Sequence, residues 1–251
     1  MLAERIRQMS APHWLALYGG VLVCWLVLAL MAVPADLRDV ARVFGGDFWE
    51  AFCTTTPDAA GFVRLWVMWG LMSGAMMAPT ALPALATYDD LGRSTETDLG
   101  ALLTGYLAVW LGFSAIAAGL QIGLFSLGWV SAFGDSRSAA LSGGLLVLAG
   151  AYQFSALKEA CLAKCRMPVT FFMAHWEEGA LRNGLRLGAV CLGCCWALML
   201  LGFVGGVMSL GFMGLATVVM TLEKLRAGAW ITRPLGVVLI GAGLLVALLG
   251  S

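Results

Sequence analysis

The sequence has few charged residues. Aspartate, glutamate, lysine and arginine make up 12% of its 251 residues, and the two signs cancel to a net charge of zero. Soluble proteins carry about 25% charged residues, so this composition argues against a soluble domain. The balanced charge provides no basic face for nucleic acid. Histidine is also scarce, and nothing in the sequence brings His13 and His175 together to ligate a haem.

Three further patterns are missing from the sequence. No run alternates apolar and polar residues, which excludes the wall of a membrane β-barrel. No phosphate-binding glycine loop is present, which excludes a pump driven by its own ATP hydrolysis. No acid–base constellation typical of an enzyme is evident either. The chain is instead 61% hydrophobic and has 32 glycines, small residues that let membrane helices approach closely. This predicts an all-α polytopic membrane helix bundle, one domain over residues 1–251, in contact with a lipid bilayer.

Seven apolar stretches are candidates for membrane spans. Each is near the ~20 residues that cross a bilayer core. The last two are short or rich in glycine, so the expected count is about seven, six to seven. The stretches cover approximately residues 14–33, 62–86, 99–129, 138–157, 185–206, 209–225 and 235–250.

The distribution of basic residues predicts the orientation. With seven spans and a cytoplasmic amino terminus, four of the fifteen lysines and arginines fall outside, namely Arg38, Arg42, Arg64 and Arg137. The remaining eleven fall inside, which is the bias expected of a bacterial inner (plasma) membrane protein. Residues 34–61 then form a periplasmic loop. Residues 158–183 form a cytoplasmic loop that has the composition of an interfacial helix.

The fifth stretch contains three cysteines within five residues, in "AVCLGCCWALM" over 189–199. Cys191, Cys195 and Met199 are spaced four and four, and Cys194 follows Cys191 by three. In a helix these positions lie on one face. The sequence therefore predicts a stripe of sulfur atoms about two turns long.

The second stretch has a matching ladder of methionines. Met68, Met72 and Met76 are four residues apart, and Met77 is adjacent. Pro79 follows and is expected to bend the backbone and free carbonyl groups. The antiparallel course of the second and fifth stretches places Met76 and Met77 at a depth similar to that of the three cysteines.

Thiolate and thioether ligands are soft and select copper(I), with zinc as another thiolate-bound possibility. The predicted metal ligands are Cys191, Cys194 and Cys195, with Met199, Met72, Met76 and Met77 as secondary contacts. Methionine at helical spacing is also typical of core packing, and a buried cysteine is also a small hydrophobic residue. Binding of no metal therefore stays open at this point.

Cys161 and Cys165 form a second pair, four residues apart and among basic side chains. They are expected to act as an inner relay or a second metal site. Nearby cations favour the thiolate form of such cysteines. Glu223 and Lys224 end the sixth stretch. Such an ionisable pair could line a site, but extension of the charged groups to the membrane surface is the expectation.

Several stretches together resemble the domain of unknown function 2182 family, which is described as predicted metal-binding integral membrane proteins. They are "MWGLMSGAMMAPTALP", "GYLAVW", "AGAYQFSALKEACLAKCRMP", "GLRLGAVCLGCCWALM", "GVMSL" and "EK". The resemblance covers approximately residues 62–226 and implies metal binding without naming the metal. This chain has Ala156 where the family is expected to have proline, which bears on how the fourth span ends.

Three functions fit these observations. The first is a membrane protein that handles or delivers copper(I), with a metal donor or acceptor protein as partner. The second is an accessory or assembly subunit of a larger membrane complex. The third is a thiol oxidoreductase that uses Cys191 and Cys194 as a CxxC pair, although the charge bias places these thiols on the reducing side.

Overall fold

The computed structural model describes residues 12–32, 46–92, 97–225 and 229–250, and over them the chain is helical without strands. Part of the predicted outer loop, up to residue 45, lies outside the described residues. So do six of the basic residues behind the predicted orientation, namely Arg5, Arg7, Arg38, Arg42, Arg93 and Arg226.

The long apolar helices agree with the predicted stretches. Five helical segments are long and apolar enough to cross a membrane, or six if a bent pair counts as one span. The long helices are α1 (Pro12–Met31), α3 (Ala59–Leu91), α4 (Leu99–Ser126), α8 (Ala180–Leu200) and α11 (Thr232–Leu249). A short α2 (Gly46–Cys53) precedes α3, and α9 (Gly202–Gly205) continues α8.

The fourth predicted span is broken. Helix α5 (Ala139–Tyr152) is followed by α6 (Ala156–Arg166) at an angle of 61°. The Ser155 hydroxyl accepts a hydrogen bond from the Lys158 backbone N–H and so caps the new helix. Fourteen residues of α5 rise about 21 Å, which is less than the ~30 Å of a bilayer core. The span therefore ends earlier than the sequence predicts.

The remaining helices complete the bundle. The predicted loop at 158–183 contains α7 (Pro168–His175) and a 3-10 turn at Trp176–Glu178. Phe171 and Phe172 of α7 are buried, and the Phe172 ring packs against Tyr88 of α3. Helix α10 (Leu210–Leu225) has 16 residues and is shorter than the five helical segments that are long enough to cross a membrane.

Helices α4 and α8 form the closest helix pair around the core. A Cβ atom on Gly184 would overlap the carbonyl oxygen of Leu102, and one on Gly105 would overlap that of Leu181. Glycine at both positions therefore lets the two backbones touch. Helix α3 packs on α4 and on α1, while α6 and α10 pack against α8 and α3 respectively. The cysteine face of α8 thus lies inside the bundle.

Candidate metal centre

The three cysteines of α8 form a buried cluster. The Sγ atoms of Cys191, Cys194 and Cys195 all lie within 4.8 Å of one another, and each side chain is at most 2% exposed. The i, i+3, i+4 spacing accounts for this arrangement because it places the three side chains on one helical face. The three thiols of the predicted sulfur stripe therefore form a compact group.

The thiols use a backbone carbonyl and a thioether as partners. Cys194 and Cys195 both donate to the Cys191 carbonyl oxygen, at 3.0 and 2.9 Å. The Sγ atom of Cys195 lies 3.6 Å from Sδ of Met77 on α3. Met77, the residue next to the methionine ladder, therefore contacts the cluster. Met72, Met76 and Met199 are buried in the same core.

Lys224 and Tyr106 both contact the sulfur atom of Cys191. Lys224 Nζ lies 3.0 Å from Cys191 Sγ and 2.6 Å from Thr80 Oγ1. The Tyr106 hydroxyl lies 3.2 Å from the same sulfur and donates to the Met77 carbonyl at 2.9 Å. The sequence does not single out Tyr106 as a site residue. Its only signal is its position in the "GYLAVW" block of the family resemblance.

The expectation that Glu223 and Lys224 extend to the membrane surface is wrong. Glu223 is 2% exposed and Lys224 is 8% exposed. Glu223 pairs at 2.9 Å with Lys158 of α6, which is 1% exposed. Two buried side chains of opposite charge form an ion pair there through Glu223 Oε2, and Lys224 faces the thiols instead.

Cys165 and Cys161, the two predicted relay cysteines, lie at different positions beside α8. Cys165 shares the wall of a small cavity, described below, with Cys191. The Cys161 sulfur packs on the backbone of Gly193, on the next face of α8. The structure therefore places Cys165 in a shared cavity with a cluster thiol and Cys161 against the helix backbone.

Pro79 shapes the helix that supplies Met77. Helix α3 continues through Pro79 and Pro83, and Pro79 has no N–H to bond the Ala75 carbonyl four residues earlier. The indole of Trp25 on α1 donates to that carbonyl at 3.1 Å. The expected release of a carbonyl is therefore seen, and a neighbouring helix satisfies it.

A small cavity leads to the cluster. Its volume is about 200 Å³, and Cys165 and Cys191 lie in its wall with Lys224, Arg166, Tyr106 and Thr80. Arg166 is held there because its Nε and Nη2 atoms donate to the Glu223 carbonyl at 2.9 and 2.6 Å. This cavity, which we call the thiol cavity, connects Cys165 and Cys191 to the surface at one end of the bundle.

Comparison with known protein families shows which family the chain belongs to. Residues 66–246 match the family described as PpoB2, copper chaperone. The chain belongs to this copper chaperone family. The match includes the thiol cluster, Met77, Tyr106 and Lys224, so the buried sulfur atoms lie within the part that defines the family. No curated protein and no solved structure matches the chain.

Proposed function

We propose that this copper chaperone is a multi-pass membrane protein that binds copper(I) through Cys191, Cys194 and Cys195 and delivers it to an acceptor protein. The observation that carries this proposal is the set of three sulfur atoms within 4.8 Å of one another. A soft, monovalent ion needs two or three soft ligands, and thiolates also neutralise its charge. Met77, 3.6 Å from Cys195, supplies a further sulfur atom.

The donor atoms favour copper(I) over zinc. Structural zinc sites in proteins are tetrahedral and use four cysteine, histidine or carboxylate ligands. Among the described residues, the group with metal-ligand geometry consists of three cysteines, and the further sulfur beside it is the thioether of Met77, a soft ligand that suits copper(I). Burial of the cluster also excludes water, which suits an ion bound by thiolate and thioether groups. Met199, Met72 and Met76 are proposed as secondary contacts and Cys165 as the relay, while Cys161, the other predicted relay cysteine, packs against Gly193.

Metal analysis of the purified protein tests the proposal. The wild type, loaded anaerobically with copper(I), is expected to retain about one ion per chain. A variant with Cys191, Cys194 and Cys195 all changed to serine is expected to lose that ion. Cys24→Ser is the control, since Cys24 lies half-buried on α1 and contacts Gly74 rather than the cluster. Equal copper content in the triple variant and the wild type would reject the proposed site.

The proposed placement is the bacterial inner membrane with a cytoplasmic amino terminus. Five or six segments have the length and hydropathy of spans, and the short α10 would provide the seventh. In this arrangement the thiol cavity opens on the cytoplasmic side, because Lys224 ends α10 and Arg166 ends α6 at that end. Copper would then be collected from the reducing compartment, where thiols stay reduced.

A further inference from the structure

The wall of the thiol cavity has a one-sided charge. Lys224 and Arg166 both contribute to it, and its described lining residues include no aspartate or glutamate. Lys224 Nζ is hydrogen bonded to Thr80 and Cys191, while the carboxylate next to it in sequence, that of Glu223, is paired with Lys158. A free copper(I) cation would meet two positive groups before it reached a thiol.

We propose that the thiol cavity binds copper(I) as an anionic bis-thiolate complex of a small thiol, with Lys224 and Arg166 recognising its negative charge. This inference rests on the proposed function and specifies the form in which copper arrives. One copper(I) ion with two thiolates carries one net negative charge, which opposes the charge of the cavity wall. The volume of about 200 Å³ is below the ~300 Å³ of ordinary ligand pockets, so it suits a small complex rather than a folded donor.

Transfer from such a complex is an exchange of ligands without redox chemistry. A protein thiol binds copper as a thiolate, its proton passes to the departing small thiolate, and that group leaves as a thiol. Two such exchanges move the ion from two small thiolates to two cysteines. Copper stays in the +1 state, and the net charge of the complex is unchanged. Cys165 and Cys191 are the thiols in the cavity wall, so they make the first exchanges.

Loading rates from donors of different charge test the inference. Three small thiols with the same donor atom are compared as copper(I) complexes, namely 3-mercaptopropionate, 2-mercaptoethanol and cysteamine. Their bis-thiolate complexes carry three negative, one negative and one positive net charge, respectively. Arg166→Gln is expected to slow loading from the mercaptopropionate complex about tenfold, which is within the range of electrostatic rate effects. It should slow loading from mercaptoethanol less and speed loading from cysteamine, whose complex has the same sign of charge as Arg166.

Two further variants separate charge from folding. Lys164→Gln removes an exposed charge from the same helix and should leave all three rates unchanged. Arg166→Lys keeps the charge and should restore loading from the anionic complexes. Slowing by the same factor with all three donors would overturn the inference, and so would an equal effect of Lys164→Gln. Loading by a copper-bearing Cys-x-x-Cys peptide but by none of the small complexes would also overturn it.

The endpoint of the same experiment tests the proposed function separately. If the wild type and the triple serine variant finally bind the same amount of copper, the metal site itself is wrong. If only the wild type binds copper but its loading shows no dependence on donor charge, the site stands and the anionic complex is rejected.

Discussion

At the scale of single residues, the three thiols are not equivalent. Cys194 and Cys195 direct their S–H groups to a carbonyl of their own helix, whereas the Cys191 sulfur is contacted by Lys224 from α10 and Tyr106 from α4. A lysine ammonium group at this distance stabilises a thiolate. Cys191 is therefore the sulfur best prepared to receive a cation.

Tyr106→Phe is expected to weaken copper(I) binding about tenfold without changing the amount bound at saturation. The hydroxyl orients the Cys191 sulfur, and loss of an outer-shell partner typically costs 10–100-fold in metal affinity. Competition with a chromogenic copper(I) chelator measures the change. Tyr88→Phe is the control, because Tyr88 packs on Phe172 and Trp176. An unchanged affinity in Tyr106→Phe would show that its hydroxyl serves only the Met77 carbonyl.

The relay is expected to depend on Cys165 and not on Cys161. Cys165 lines the thiol cavity together with Cys191, so Cys165→Ser should slow copper loading several-fold while the final stoichiometry stays the same. Cys161→Ser is the matched variant on the same helix, one turn earlier. Stopped-flow loading measures both. Equal slowing in the two variants would assign the relay to the pair rather than to Cys165.

The sequence predicts the thiol cluster because its geometry is local. Three cysteines at i, i+3 and i+4 share a face in any α-helix. Tyr106 and Lys224 reach Cys191 from other helices, so their roles depend on how α4, α8 and α10 pack. That packing depends on close contacts such as Gly184 against Leu102, which a single sequence does not reveal.

At the scale of helices, a buried ion pair fixes α6 to α10. Lys158 and Glu223 are 2.9 Å apart, and both side chains are at most 2% exposed. Arg166 adds two bonds to the Glu223 carbonyl. These contacts hold Cys165 on one helix and Lys224 on the other at the two sides of the thiol cavity.

Lys158→Met is expected to destabilise the protein by about 3–5 kcal/mol, because it leaves the Glu223 carboxylate buried without its partner. The double variant Lys158→Met with Glu223→Met should recover much of this loss, since two apolar side chains replace the pair. Thermal or denaturant unfolding in detergent measures the cycle. A double variant as unstable as the sum of the two single variants would contradict a direct coupling of the pair.

The helices themselves follow from the sequence more closely than their ends. The five long apolar segments coincide with predicted stretches because a continuous apolar run of that length has little alternative to a helix in lipid. The sequence does not predict the break after Tyr152, because the break depends on the Ser155 cap and on the turn from α5 into α6. The burial of Glu223 and Lys224 is missed for the same kind of reason, because their partners come from other helices.

At the scale of the whole molecule, the proposed seven crossings would place the carboxyl terminus in the periplasm. Reporter fusions near Gly134 and after Gly250 are expected to report the periplasm, and a fusion near Gly179 the cytoplasm. The physical reason is the excess of basic residues in the predicted inner segments. Paired phosphatase and fluorescent-protein fusions measure the three positions. A cytoplasmic carboxyl terminus with the other two positions unchanged would reduce the count to six, and α10 would then lie within the bundle without crossing.

The hydrogen bond from Trp25 to Ala75 has a consequence for where this protein can be divided. The family match begins at residue 66 and leaves out the whole of α1, yet the Trp25 indole closes the gap that Pro79 makes in α3. Without α1, that carbonyl would have no partner, which in lipid costs several kcal/mol. The border of the family match is thus not the border of the folding unit. The methionine helix beside the proposed metal centre is complete only with a segment that lies outside this match.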